Sequence, residues 1–202
     1  MTATRPGPRI PPLGPPYDRS VESALNKWMP PGADVEPLLL FRTLHVHEEL
    51  ASRMRPLGAG ILGAAATVAP ALREVMIHRT CALVGARYEW GVHAAAFARP
   101  LGFSDAQLSS TVHGAWSDDC WETAQASVFR LADELHQTGT ISDELWRSLS
   151  AQFSERQILE LIVTAGWYHA IGYLCNGLGV ELEEWALDYP EPDPAPERTL
   201  TA

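Results

Sequence analysis

Arg73–His93, REVMIHRTCALVGARYEWGVH, decides how the rest of this sequence is read. Two helical apolar patterns meet in it near Gly85, with ionisable side chains set among them. Pro70 suits a first helical position, and the stretch after it turns Leu72, Val75, Met76, Cys81, Leu83 and Val84 toward a core. A second helix is expected from about Ala86 to Ala98, closed by Pro100 and Gly102. Glu89 and His93 are four apart, so a carboxylate and an imidazole share one helix face a turn from each other. Glu74, one helix earlier, can face them, and His78 follows it at helical spacing as its hydrogen-bond partner.

Working outward, helical signals recur and strand signals are absent, so the expected class is all-α. Residues 18–28 suggest a short helix stopped by Pro30, Pro31 and Gly32. VEPLLLFRTLHVHEELASRMRPLGAGIL reads as two helices or one interrupted helix, with Leu40, Leu44 and Leu50 in the core. Ser104 with Gln107, and Ser154 with Gln157, have capping-box spacing, and Ser142 is a further N-cap. Trp121, Ala124, Val128, Leu131 and Leu135 mark an amphipathic helix ended by Gly139. The last helix, from Ser154, is apolar on nearly every side and is expected to be buried all round, as a central helix or a subunit contact. Proline-rich arms flank these helices, so the division is an extended arm at 1–17, a helical domain at 18–185 and an acidic tail at 186–202.

Composition narrows the function classes. Hydrophobic residues make up 46% and charged residues 20%, which supports one globular core. A net charge of -10 and a pI near 5.1 leave no basic surface for nucleic acid or an anionic membrane. Cys81, Cys120 and Cys175 form neither a disulfide framework nor a CxxC pattern, which fits a reducing cytoplasm. The N-terminus lacks a signal-type apolar run, and no stretch reads as an uninterrupted membrane span. His45, His47, Glu48 and Glu49 are expected as exposed polar residues near a helix bend, since two histidines two apart lie on different helix faces.

The central stretch, with LLLFRTLHVHEELA, RYEWGVHAAAFARPLGFSDAQL, ELHQTGTISDELW and ILELIVTAGWYHAIGYLCNGLGVELE, resembles the carboxymuconolactone decarboxylase family, which includes the alkylhydroperoxidase-D-like peroxidases. The resemblance spans roughly residues 38–183 and implies an all-helical protein assembled as a trimer or hexamer. In the peroxidase branch a Glu is followed twelve residues later by CxxC and then by a His. Here Glu74 and His93 hold the outer places, while Ala86 and Glu89 stand where the cysteines would be, so that branch's thiol cycle has no nucleophile. The decarboxylase branch carries His-Glu-x-x-x-His. This chain keeps Glu89 and His93 and has Tyr88 in the first position.

An isolated Glu and His pair at this spacing is most often a solvated surface pair. The resemblance favours instead a small-molecule enzyme without a cofactor or metal, with Glu89 as general acid/base, His93 as its partner and Glu74 as a tuning carboxylate. Tyr88, Trp90, Val92 and Phe97 surround the pair with apolar bulk that would desolvate Glu89. Tyr88, Arg73, Trp90 and His169 are the expected substrate-side residues. Arg73 either clamps a substrate carboxylate or balances buried acids. Trp116, Trp121, Trp167 and Tyr168 are expected mostly in the core, and His169 is the group of that set expected to reach the site. The expected reaction is decarboxylation or isomerisation of a small cyclic acid, lactone or enolisable carbonyl compound. A thiol peroxidase and a non-catalytic ligand-binding oligomer are the alternatives.

Overall fold

The computed structural model describes residues 7–192 except 31 and 34, so expectations for residues 1–6 and 193–202 lie outside the described residues. Among the described residues the chain is all-α: α1 Arg19–Asn26, α2 Leu39–Leu44, α3 Glu48–Leu62, α4 Pro70–Leu83, α5 Arg87–His93, α6 Asp105–His113, α7 Thr123–Thr138, α8 Asp143–Gln152 and α9 Glu155–Leu178. A single 3-10 turn, His45–His47, joins α2 to α3, and a π-helical turn, Ala94–Ala98, continues α5.

The termini of these helices follow from their side chains. Ser104 and Ser154 accept from the backbone of Gln107 and Gln157, whose side chains bond back to the cap residue, and Ser142 caps α8. Gly139 and Gly179 end α7 and α9 in the left-handed conformation that glycine adopts without steric cost.

α4 is the central element, packed against α5, α6, α7 and α9. Its Val75, Met76, Ile77 and Cys81 join Phe129 and Leu131 of α7 and Leu161 and Ala165 of α9 in the main core. A second cluster, built from Leu40, Leu44, Tyr88, Val92, Ile171 and Cys175, closes the other side of α5. The segment after α9 returns across α5, with Val180 and Ala186 against the second cluster and Leu187 and Tyr189 against the main core. Leu187 donates its backbone N–H to Gly91 O, Asp188 pairs with Arg87, and Tyr189 rests against Trp90. A Cβ at Gly91 would land on the carbonyl oxygen of Leu187, so only glycine lets this strap lie so close to α5. The N-terminal arm is anchored too, with Arg9 N–H donating to Leu178 O and Leu13 exchanging bonds with Arg42.

Several expectations are corrected. α9 is not buried all round in the single chain: Leu159 is 64% and Tyr173 65% exposed, because its neighbours cover only the face carrying Leu161, Ala165, Tyr168, Gly172 and Cys175. That helix is also long and apolar enough to cross a membrane by length and composition, yet here it packs as a core helix of the bundle. Leu50 is 45% and Trp116 42% exposed, since each falls on an outward face. His45 is buried rather than exposed, its Nδ1 donating to Phe41 O, whereas His47, Glu48 and Glu49 face outward. Trp121 precedes α7 instead of opening it, and its indole N–H donates to Ser110 Oγ.

Candidate active site

Three helices bring one cluster of ionisable groups together. α4 contributes Arg73, Glu74 and His78, α5 contributes Tyr88, Glu89, Trp90 and His93, and α9 contributes Tyr168. The turn from α4 to α5 is tight, with Ala86 N–H donating to Cys81 O at 2.7 Å and Gly85 at φ +67°. Gly172 draws α9 onto that turn: a Cβ there would lie 2.6 Å from Val84 and 3.2 Å from the Ala86 methyl. Tyr168, one helical turn earlier on the same face, is thereby carried to the end of α5.

His93 is the centre. Its Nδ1 donates to Glu74 Oε2 at 2.9 Å, while its Nε2 is 3.0 Å from Tyr168 Oη and 3.5 Å from Glu89 Oε1. The ring is stacked by Phe97 on one side, and the Tyr168 ring stands edge-on at a centroid distance of 5.1 Å. Burial pushes the imidazole down, but the charge and hydrogen bond of Glu74, joined by Glu89, outweigh it and lift His93 to about 9. Burial pushes Glu74 up in turn, and His93, His78 and Arg73 outweigh it, holding the carboxyl below its usual value. The pair is therefore an ionised carboxylate and an imidazolium at neutral pH.

His78 plays a different part. It is wholly buried, which drives it down to about 4, and its Nδ1–H donates to the Glu74 carbonyl at 2.7 Å. Trp90 packs edge-on against the His78 ring and sends its own N–H to Thr111 Oγ1. Trp90 thus supports the cluster from behind rather than facing a ligand. Tyr88 points away from His93, donating to Glu183 Oε1 at 2.6 Å and accepting from Leu40 N–H at 3.2 Å. Arg73 is buried beside Glu74 with no carboxylate within ion-pair distance among the described residues, its Nη1 donating to Ile61 O at 3.3 Å. Its Nε, together with Glu74 Oε1 and His78 Nε2, has no hydrogen-bond partner there.

Of the residues expected from sequence, Glu74, Glu89 and His93 come together, Arg73 flanks them, and Tyr88 and Trp90 sit in a second layer. His169 is the exception. It lies one residue past the buried face of α9, bonded to Ala165 O and to His136 Nδ1, and so points away from His93. Tyr168, expected among the core residues, takes the place beside His93 that was expected of His169. The signal was the spacing Leu161, Ala165, Tyr168, Gly172, Cys175, which marks the inward stripe and leaves position 169 outside it.

An open groove of about 440 Å³ lies on the Tyr88 side of α5, lined by Arg87, Tyr88, Cys175, Asn176, Val180 and Leu182. Burial and the neighbouring Glu89 charge hold the Cys81 and Cys175 thiols well above their usual range, so neither is a ready thiolate. No group of three or more metal-ligating side chains able to hold an ion occurs among the described residues.

This arrangement sits in a known architecture. The chain has the alkylhydroperoxidase-D-like all-helical fold, as solved structures of that type show. A peroxidase-related protein from Silicibacter sp. TM1040 superposes at TM-score 0.74, with 14% identity over 94% of this chain and 100% of that one. The debrominase Bmp8 superposes at 0.69, with 13% identity over 87% of this chain and 92% of its own. ATU0492 of Agrobacterium tumefaciens, an AhpD-type protein of unknown function, superposes at 0.61 with 13% identity over 69% of this chain and 94% of its own. No family profile and no curated protein matches the sequence.

Proposed function

We propose that this protein is a cofactor-free acid/base enzyme, related in chemistry to the carboxymuconolactone decarboxylases, that acts on a small cyclic acid, lactone or enolisable carbonyl compound. The observation that carries this reading is the buried line Glu74, His93, Glu89, in which one imidazole is held between two carboxylates. Glu74 fixes the ring through Nδ1, so only Nε2 is left to exchange protons with Glu89 or a substrate. Glu89, with a side chain 10% exposed, is the least enclosed of the three and is the group that meets the substrate.

In isomerisation, Glu89 takes a proton from the carbon next to a carbonyl, leaving an enolate, and the proton returns at another carbon. In decarboxylation, the departing carbon dioxide leaves its bonding pair as the enolate, and a proton delivered through His93 quenches it. Fold likeness to a debrominase and to peroxidase-related proteins keeps a redox reading in view, but the two enclosed, poorly acidic thiols do not favour it. The same reading carries an assembly of three or six chains, supported by the uncovered apolar residues Leu159, Val163 and Tyr173 on α9.

The test is a panel of small lactones, cyclic keto acids and enolisable ketones incubated with the protein in D2O and followed by proton NMR. Deuterium uptake or loss of carbon dioxide is expected, and Glu89→Gln should abolish it. No exchange or product across the panel, or an undiminished rate in Glu89→Gln, would sink the assignment.

A further inference from the structure

Tyr168 is nearly inaccessible, and His93 Nε2 is the one partner of its hydroxyl among the described residues. The direction of that bond is fixed by the other side of the ring. Nδ1 faces a carboxylate oxygen, which can only accept, and Nε2 has a second carboxylate 3.5 Å away. A ring flanked at both nitrogens by carboxylates is an imidazolium, and it then donates from both. Tyr168 Oη is the acceptor at 3.0 Å, which leaves the phenolic hydrogen itself with no acceptor among the described residues. A buried O–H without a partner is costly, and one polarised by an adjacent cation is a strong donor. Burial, then the charges of Glu89 and Glu74, hold the phenol well above its usual range, so it stays protonated.

We propose that Tyr168 is the electrophilic member of the site, its phenolic O–H donating to a substrate oxygen on which negative charge develops. This rests on the acid/base reading and narrows the substrate to one whose oxygen becomes an enolate or similar oxyanion beside Glu89. Glu89 would remove or return the proton on carbon while Tyr168 holds the oxygen. The two groups meet at the same nitrogen of His93, so one imidazolium serves both. A donor preset in this way acts where charge appears, which is how oxyanion sites accelerate enolisation.

The probe is 4-nitrophenolate, an oxyanion whose absorbance reports entry into a hydrogen-bonding site. Wild-type protein is expected to bind it at mildly alkaline pH, and Tyr168→Phe to weaken binding roughly tenfold or more while remaining folded at the assay temperature. Wild type alone supplies a second reading that needs no variant. Binding should fall as pH rises through about 9, because neutral His93 turns Nε2 into an acceptor and recaptures the phenolic hydrogen. Glu74 and His78 of α4, Glu89 of its own helix and Tyr168 of α9 face His93, with Arg73 near Glu74 and Cys81 near Tyr168. His78 is already neutral over this range and the Cys81 thiol titrates above it. In exchange assays Tyr168→Phe should be slowed by about a hundredfold, through kcat rather than KM.

No binding by wild type, binding that Tyr168→Phe leaves intact, or binding undiminished above that pH would each overturn the proposal. Binding lost in Tyr168→Phe without hydrogen exchange on any carbonyl compound would keep the oxyanion site and remove the acid/base reading. Exchange at full rate in Tyr168→Phe would do the reverse.

Discussion

Glu74 and His93, nineteen residues apart on successive helices, meet at 2.9 Å through Oε2 and Nδ1 with both side chains almost wholly enclosed. An enclosed ion pair of this kind ties stability to pH in a way that can be worked out by sign.

His93 is lifted in the folded state to about 9 from an ordinary 6.5, so its contribution is full below 6.5 and is lost as pH rises toward 9. His78 is depressed to about 4 from the same value, so the fold loses stability as pH falls from 6.5 toward 4, where the unfolded chain takes up a proton the folded one refuses. Melting temperature against pH is expected to peak near 6.5 and fall on both sides. The alkaline limb is on the order of 3 kcal/mol deep, and His93→Gln should flatten it. A plateau up to pH 9 in wild type would contradict the imidazolium.

Replacing both Cys81 and Cys175 by Ala tests thiol chemistry directly. On the acid/base reading turnover stays within a few-fold of wild type, with about 1–2 kcal/mol lost from core packing. Complete loss of turnover in a folded double variant would return the redox reading to first place.

Gly91→Ala should displace the strap, because the new methyl meets the Leu187 carbonyl, a backbone atom with little room to yield. A loss of about 1–3 kcal/mol is expected. Hydrogen exchange should show faster amide exchange at Leu187, whose N–H bonds Gly91 O, and protection that matches wild type would disprove the constraint.

Assembly is read by light scattering. A mass of three or six chains is expected at moderate dilution, and Leu159→Glu with Tyr173→Glu should lower it, since both positions are exposed on α9. A clean wild-type monomer would refute the assembly.

Local signals carried most of the fold. Capping boxes at Ser104 and Ser154 and the stop at Gly139 appear as expected, because each depends on residues within one turn. Glu89 and His93 were legible for the same reason, as neighbours on one helix face. Tyr168 was harder to find, since its contact with His93 spans seventy-five residues and depends on how closely Gly172 lets α9 approach. His169 looked better by chemistry and lost by register, a single step of about 100° around the helix. Glu183, which anchors Tyr88 and Leu39 N–H, gave no pattern at all in an irregular segment.

The strap also sets an order of events for the growing chain. Tyr88 with Glu183, and Arg87 with Asp188, close loops of 95 and 101 residues, so the backing of α5 is completed only when the segment carrying Glu183 and Asp188 has been made. A nascent chain stalled before this segment would hold Glu74, Glu89 and His93 on two helices whose outer face is still uncovered, and the Glu74–His93–Glu89 line gains that cover only once the strap has been made.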